Sequence, residues 1–584
     1  MTKDDVADAL DEIGTLLELK GENTFRTNAY HNAGRLIQSL PGDLNQMVAE
    51  GKLEGVRGIG DALAQKITTL VTTGKLPYLE ELRATVPEGL VQMLRLPGMG
   101  PKKVKALHEN LQIDTIEKLK AACEAGEVAK QKGFGAKTQQ KILDGLAFID
   151  KVGHRVRIDL ALPLGFALLE QVRTFPGVIR SDLCGSLRRR KETTGDIDIL
   201  VSSAHAQPIM DAFVKIPEVI QVVAQGPTKS SVIAAMHIRG EKATLQADLR
   251  VVTDEQFPFA LHYFTGSKEH NIRMRQRAID RGLTLNEYAL ANETRSVPCK
   301  DEADIFAALG LPYIEPELRE DTGEIEAGEQ KSLPVLVKES DIRGVFHNHT
   351  TASDGTASLE QMALATKALG MEYFGVGDHS QSLTIARGLP PGAVRKQWAE
   401  IDQVNAKLVG VRIIKGSEVD ILEDGSLDYS DELLAGFDYV VASVHSLFGM
   451  PEADMTARVC KALAHPAVTM LGHATGRLLL KREGYKINLD EVLKAAAKHG
   501  KMIEINAQPS RLDLDWRYVK RAKAMGIPIV INPDAHSTGE LGLYTFGVQV
   551  ARRGWLTKDD VFNTLSLTDV MKELNRRKQK AAAQ

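Results

Sequence analysis

Cysteine is nearly absent from the sequence: Cys123, Cys184, Cys299 and Cys460 are scattered, without the pairing of a disulfide framework or the spacing of a thiolate metal site. A reducing cytoplasm is therefore the expected location. Long apolar runs are missing too. No stretch reaches membrane-spanning length, and Met1-Thr2-Lys3-Asp4-Asp5 lacks the basic and apolar regions of a signal peptide, so no membrane partner is expected. Nor is there an overall positive charge. The net charge is -4, so any surface for nucleic acid must be local. Basic residues gather at Pro101-Lys102-Lys103, at Arg188-Arg189-Arg190-Lys191 and between Arg273 and Arg281, although such runs are usually solvated faces. Residues 315–330 are rich in Glu, Asp and Gly and poor in large apolar side chains, the composition of a linker. At 584 residues the chain is too long for one core and should hold several domains.

What the second half does have is a recurring ending. Seven short apolar runs occur there: Gly344 to His349, Phe374 to His379, Ile413 to Glu418, Val440 to His445, Val468 to His473, Met502 to Asn506 and Ile529 to His536. Only the sixth lacks a His, Asp or Glu at its end. Helical patterns lie between them, at 359–369, 394–408, 456–464, 489–499 and 516–525. The alternation predicts a parallel sheet or barrel with crossover helices, whose chemistry sits at the C-terminal strand ends. The ligands fall there: His347, His349, His379, Glu418, His445, His473, Asp534 and His536, with Asp354 in the loop after the first strand. Imidazole and carboxylate donors suit zinc, manganese or iron, and this set suffices for a cluster of about three ions. Coincidence explains one such ending but not six, and the pattern reads as a metal-dependent hydrolase site. His465, before its strand, and His499, at a helix end before Gly500, lie at the wrong end and read as surface residues.

The first half carries a different repeat. Gly58-Ile59-Gly60, Gly98-Met99-Gly100 and the weaker Gly133-Phe134-Gly135 each join two apolar segments. A Gly-apolar-Gly turn permits unusual dihedrals between helices and leaves helix N-terminal N–H groups free for a phosphate oxygen. One copy is common in helix connections. Three copies, with Lys102 and Lys103 after the second, favour DNA binding.

Next comes Leu183-Cys184-Gly185-Ser186-Leu187-Arg188-Arg189, leading into Thr194-Gly195-Asp196-Ile197-Asp198-Ile199-Leu200. In a strand Asp196 and Asp198 share one face while Ile197 and Ile199 face the core. Paired carboxylates repel and stay ionised most easily when cations bridge them. Asp248 lies in a third alternating stretch, Gln246 to Val251. Three carboxylates on neighbouring strands could hold two magnesium ions about 4 Å apart, the geometry for in-line phosphoryl transfer. Gly185 and Ser186 can meet a triphosphate with backbone N–H and hydroxyl, and Arg189 can neutralise it. A merely solvated strand face would not explain the Gly-Ser turn and arginines that precede it.

These motifs resemble known families. The glycine turns resemble the helix-hairpin-helix of DNA repair proteins, which grips the backbone without reading sequence. The block from Leu183 to Leu200 resembles the nucleotidyltransferase palm, and more closely the family X (DNA polymerase beta-like) polymerases, a match narrowed by Tyr263-Phe264-Thr265-Gly266-Ser267 with Asn271 and Arg275. That resemblance implies that Tyr263 and Phe264 flank the incoming sugar, that Asn271 meets the base and that Arg275 lies near the template. The implied nucleotide set is Gly185, Ser186, Arg189, Gly195, Tyr263, Phe264, Gly266, Asn271 and Arg275. It further places at Lys66 a lysine that forms a Schiff base with a 5′ deoxyribose phosphate.

The second half resembles the PHP domain through His347-Asn348-His349, Ser353-Asp354-Gly355, Gly377-Asp378-His379, Gly416-Ser417-Glu418 and Pro533-Asp534-Ala535-His536. Gly377 stands where a threonine is more usual, but it is not a ligand. Together the halves look like a bacterial family X polymerase with a C-terminal PHP domain. The implied order is a lyase-like helix-hairpin-helix domain (1–85), a second helical DNA-binding subdomain (86–155), an α+β palm (156–255), a nucleotide-closing subdomain (256–314), a linker (315–340) and a (β/α)7-type PHP barrel (341–575).

The leading expectation is a monomeric, cytoplasmic repair polymerase that fills short gaps on primer-template DNA from deoxynucleoside triphosphates. It would use magnesium in the palm and manganese or zinc in the barrel. The resemblance implies a 3′–5′ exonuclease in the barrel and leaves abasic-site endonuclease activity open. Two alternatives stand beside it: a DNA-binding half with little polymerisation that serves the nuclease, and a barrel that acts as a small-molecule phosphatase.

Overall fold

A computed structural model describes residues 3–40, 44–56, 58–94, 96, 99–153 and 155–582. The chain divides into two compact units, one built mainly from residues 1–153 and one mainly from the remainder.

The first unit is helical. Helices Lys3–Lys20 and Thr24–Ser39 form a hairpin, with the Asn23 side chain accepting from the Phe25 N–H at 2.8 Å to cap the second. Their apolar stripes close with Ile67, Val104 and Leu107 over one core. Each glycine turn opens a helix: Asp61–Thr73, Pro101–Leu111 and Ala136–Val152. The central residues Ile59, Met99 and Phe134 are buried, which anchors each turn, while Gly58, Gly60, Gly100 and Gly133 are exposed. Gly58 needs its φ of +103°, a region closed to most side chains. Gly98 lies outside the described residues.

In the second unit a five-stranded sheet orders Arg180–Leu183, Asp196–Ser202, Glu241–Val252, Lys229–Ile238 and Val219–Gln225. The strand bearing Asp196 runs parallel to Glu241–Val252 and pairs Asp198 directly with Asp248. Ile197 and Ile199 are buried and Asp196 is exposed, as the alternation requires. Helices Phe257–Thr265 and Lys268–Ile279 follow, and Phe259, Met274 and Phe306 lead a further core.

Residues 315–330 are not the loose linker that their composition suggests. They hold the helix Glu324–Glu329, and Arg319 and Glu324 are fully buried. Charges within it are paired with the rest of the fold: Arg319 Nη1 lies 2.6 Å from Glu302 Oε1, Glu320 Oε1 3.0 Å from Arg189 Nε and Glu324 Oε1 2.8 Å from His270 Nδ1. Leu318 and Ile325 join a core that also takes in Trp555.

The last region carries parallel strands with helices between them, but not one closed ring. Gly344–Asn348, Tyr373–Val376 and Arg412–Ile414 form one sheet. Gly416–Asp420, Tyr439–Ser443, Met470–Leu471, Met502–Asn506 and Ile529–Asn532 form another. The third predicted run is thus split at Lys415, whose carbonyl turns aside to accept from the Asp438 N–H at 2.8 Å. First and last strands still meet at their ends, where the His349 N–H donates to the Ala535 carbonyl at 2.8 Å. The result is barrel-like. Among the described residues no helix is long and apolar enough to cross a membrane.

Candidate active sites

In the palm, the parallel register sets Asp198 against Asp248, with Asp196 two residues upstream on the same face. Burial, then the charges of Asp196 and Asp248, push the Asp198 carboxyl up to about 7. Asp248 is partly buried, which alone would raise it, but Lys229 Nζ at 2.6 Å, with hydrogen bonds from Ser231 and Gln246, outweighs this and holds it below the usual carboxylate range. A lysine on one carboxylate and a suppressed charge on its neighbour are what a site for cations shows when only protein charges face it. The carboxylates fit divalent metal.

Gly185 meets this cluster directly. Its φ is +63°, and a Cβ there would lie 2.5 Å from Asp198 Oδ2. Ser186 Oγ lies 2.5 Å from Thr194 Oγ1, beside Gly195. Arg189 is buried, its Nε 3.0 Å from Glu320 Oε1 and its Nη1 on the Thr265 carbonyl. Across the cleft Phe264 stacks under Arg250 at 4.6 Å, with Tyr263 edge-on at 5.2 Å from Phe264. Gly266 turns the chain at φ +69° into the helix that presents Asn271 and Arg275. Asn271 Nδ2 donates to the Tyr263 carbonyl at 2.7 Å, which locks the aromatic turn to that helix, whereas Arg275 is exposed.

At the C-terminal strand ends of the barrel-like region all nine predicted ligands converge. They form four overlapping groups whose donor atoms lie within 4.8 Å of one another: His349, Asp354, His379 and His536; His347, His349 and Asp534; His347, Glu418 and His473; His379, Glu418 and His445. His347, His349, His379 and Glu418 are each shared by two groups. His347 and Asp534 sit at φ +55° and +51°, a strained backbone for residues with side chains and one that clusters at functional sites.

Burial alone would lower the imidazoles, but Glu418 and Asp354 outweigh it at His379 and push it up to about 10. Glu418 is held well below its ordinary range against its own burial by His347, His445 and His379. His349 is lowered to about 4 by burial and by His536 and His379. Five buried imidazole nitrogens, on His347, His349, His379 and His473, make no hydrogen bond. Orphaned nitrogens facing ionised carboxylates fit imidazole-preferring cations such as zinc or manganese. His465 Nε2 instead lies 3.1 Å from Asp431, and His499 ends its helix, so neither enters the cluster.

The sixth strand contributes a residue that sequence reasoning missed. Glu504, two positions before Asn506, is fully buried; its Oε1 lies 2.7 Å from His347 Nδ1, and its Oε2 accepts the His473 N–H at 2.7 Å. Asp420 stands 2.5 Å from His445 Nδ1 in the same way. The signal was a carboxylate inside an apolar strand, which is not tolerated without partners. Such carboxylates fix which imidazole nitrogen faces a metal, so Glu504→Gln is expected to weaken metal retention by about 10- to 100-fold, measured as metal content after dialysis. Gly377 also acquires a reason, because a Cβ there would lie 2.8 Å from the His347 Cα. Arg511 Nε lies 3.8 Å from Asp534 Oδ2.

In the helical unit Lys66 Nζ lies 5.0 Å over the Tyr78 ring, which stacks on Tyr30 at 6.4 Å and receives Arg26 Nη2 on its hydroxyl at 3.0 Å. Lys102 is exposed, and Lys103 Nζ lies 5.9 Å over Phe134, which brings the second and third glycine turns together.

Four family models match parts of the chain. Residues 1–76 match a helix-hairpin-helix domain, 90–147 a SAM-like helix-hairpin-helix tandem, 260–320 the DNA polymerase beta thumb and 346–508 the PHP domain. A probable phosphatase of Thermoanaerobacter sp. (strain X514) is 29% identical over 230 residues, 37% of this chain and 89% of that protein. A probable phosphatase of Acetivibrio thermocellus is 28% identical over 207 residues, 34% of this chain and 81% of that protein. The DNA polymerase/3'-5' exonuclease PolX of Bacillus subtilis (strain 168) is 38% identical over 580 residues, 99% of this chain and 100% of that protein. With one relative matched from end to end, the chain belongs to the PolX family of DNA polymerases/3'-5' exonucleases.

Proposed function

We propose that the chain fills short gaps in DNA by nucleotidyl transfer in the palm and removes 3′ nucleotides in the PHP domain, as a monomer in the cytoplasm. The observation that carries this reading is one chain holding both a facing carboxylate pair, Asp198 and Asp248, and a nine-residue ligand cluster. In the palm, Asp196, Asp198 and Asp248 would hold magnesium, which lowers the pKa of the primer 3′-OH and neutralises the leaving pyrophosphate. Gly185 brings its backbone against Asp198 so that the triphosphate and the carboxylates share one cleft. Tyr263 and Phe264 flank the sugar, Asn271 meets the base and Arg275 reaches the template. In the PHP domain the nine ligands would hold manganese or zinc, which activates water against the phosphodiester. Gly58, Gly60, Gly98, Gly100, Lys102 and Lys103 hold the DNA backbone, and abasic-site cleavage is a second use of the same hydrolytic centre.

The test compares primer extension and 3′ degradation on gapped DNA with magnesium and with manganese. Extension with either ion, and degradation favoured by manganese, is the expected result. Hydrolysis of small phosphate esters with no attack on DNA would support the phosphatase reading instead, and that reading matches only the relatives that cover this domain.

Lys66 is proposed as the lyase nucleophile. Borohydride is expected to trap a covalent adduct on a 5′-incised abasic substrate with the parental chain and not with Lys66→Ala. An adduct of equal yield in the variant removes Lys66 from the role.

A further inference from the structure

Arg189 ends the turn that opens at Gly185, and its guanidinium is held on two sides. Nε donates to Glu320 Oε1 at 3.0 Å and Nη1 to the Thr265 carbonyl, while Nη2 makes no hydrogen bond among the described residues. Its own carbonyl accepts from Arg553 Nη1 at 2.8 Å, and that nitrogen also lies 3.4 Å from Glu320 Oε1. Arg553 is the last residue of the helix Tyr544–Arg553, which follows the final strand of the PHP domain. Its side chain is 1% exposed, with the guanidinium 4.9 Å over the Trp516 ring. Arg189, Glu320 and Arg553 are therefore one chain of charge from palm to PHP domain, with both arginines buried and Glu320 half-buried between them.

We propose that the PHP domain supplies a positioning residue to the polymerase: Arg553, with Glu320, holds Arg189 so that its free Nη2 edge meets the triphosphate of the incoming nucleotide. This rests on the assignment of Arg189 to the triphosphate. Two guanidinium groups share one carboxylate, so the triad keeps a positive charge for a further anion. Without Arg553, Glu320 would neutralise Arg189 alone, and the Arg189 carbonyl would lose its donor. Without Glu320, two guanidinium groups would face each other and Arg189 would lose its orientation. An arginine already fixed by two partners gives up less freedom when it binds phosphate.

The placement separates this role from the nuclease. The Leu556 carbonyl, three residues beyond Arg553, accepts from the Val337 N–H at 2.9 Å, ahead of the first strand and so at the N-terminal end of the sheet. The metal ligands lie at the opposite end.

Single-nucleotide gap filling by the full chain tests the proposal, with Arg553→Met, Arg553→Lys, Glu320→Gln and Arg189→Met compared. Arg553→Met and Glu320→Gln are each expected to raise KM for the nucleotide by about tenfold, the scale of one lost charge-assisted hydrogen bond, with kcat nearly unchanged. Arg553→Lys should recover part of the loss, and a chain carrying both Arg553→Met and Glu320→Gln should lose less than the product of the two. Exonuclease rates should stay parental and report an intact fold. Where Arg553→Met fails to fold, Glu320→Gln and Arg553→Lys decide. A raised KM in Arg189→Met with parental values in the other variants overturns the positioning role. Parental KM in Arg189→Met overturns the assignment of Arg189 and the proposal with it. A lowered KM in Glu320→Gln would mean that Glu320 competes with the triphosphate, which also overturns it.

Discussion

Asp198→Ala is expected to abolish nucleotide addition, by about a thousandfold or more, the scale on which preorganised charge at a reacting centre acts. Asp198 pairs with Asp248 in register, and its carboxyl is crowded by Asp196 and Asp248. Removing it relieves repulsion in the folded protein, so the melting temperature should hold or rise while activity vanishes. That combination separates a lost catalytic group from a damaged fold. Degradation of 3′ ends by the same preparation should remain, because all nine barrel ligands lie between residues 347 and 536, outside the palm sheet. Asp196→Ala should behave alike. Retained extension by either variant would sink the palm assignment.

His349→Ala should do the converse and eliminate 3′ degradation, again by about a thousandfold, while primer extension persists. His349 belongs to two of the four ligand groups, and its ring centre lies 4.1 Å from that of His536 and 4.4 Å from that of His379. One substitution therefore depletes two groups at once. Asp534→Ala removes a carboxylate that lies 3.0 Å from His349 Nε2 and should match it. Stripping metal from the parental protein with a chelator should mimic either variant, and added manganese should restore the parental protein alone. Parental nuclease rates in purified His349→Ala would place that activity elsewhere.

The convergence of the nine candidate ligands was legible in the sequence because each ends or closely follows an apolar run, and parallel strands align their ends. Glu504 was not, because it stands inside its strand, where it contacts His347 Nδ1 at 2.7 Å and joins none of the four ligand groups. Residues 315–330 misled for a related reason: composition cannot tell a solvated glutamate from one that neutralises a buried arginine, as Glu320 does for Arg189 and Arg553. The split at Lys415 depends on Asp438, a partner in another strand's approach, so no local pattern announces it. The palm pair Asp196 and Asp198 could be read from alternation, whereas the direct opposition of Asp198 and Asp248 required the register.

The meeting of the first and last strands has a bearing on biosynthesis. His349 is translated long before its last partners, and both groups it enters stay incomplete until Asp534 and His536 have been made and the Ala535 carbonyl has taken the His349 N–H. A chain released before that point carries a finished palm sheet but lacks two of the nine ligands. Premature termination thus leaves two of the four ligand groups incomplete, and the full set is assembled only on molecules whose polymerase half is already made.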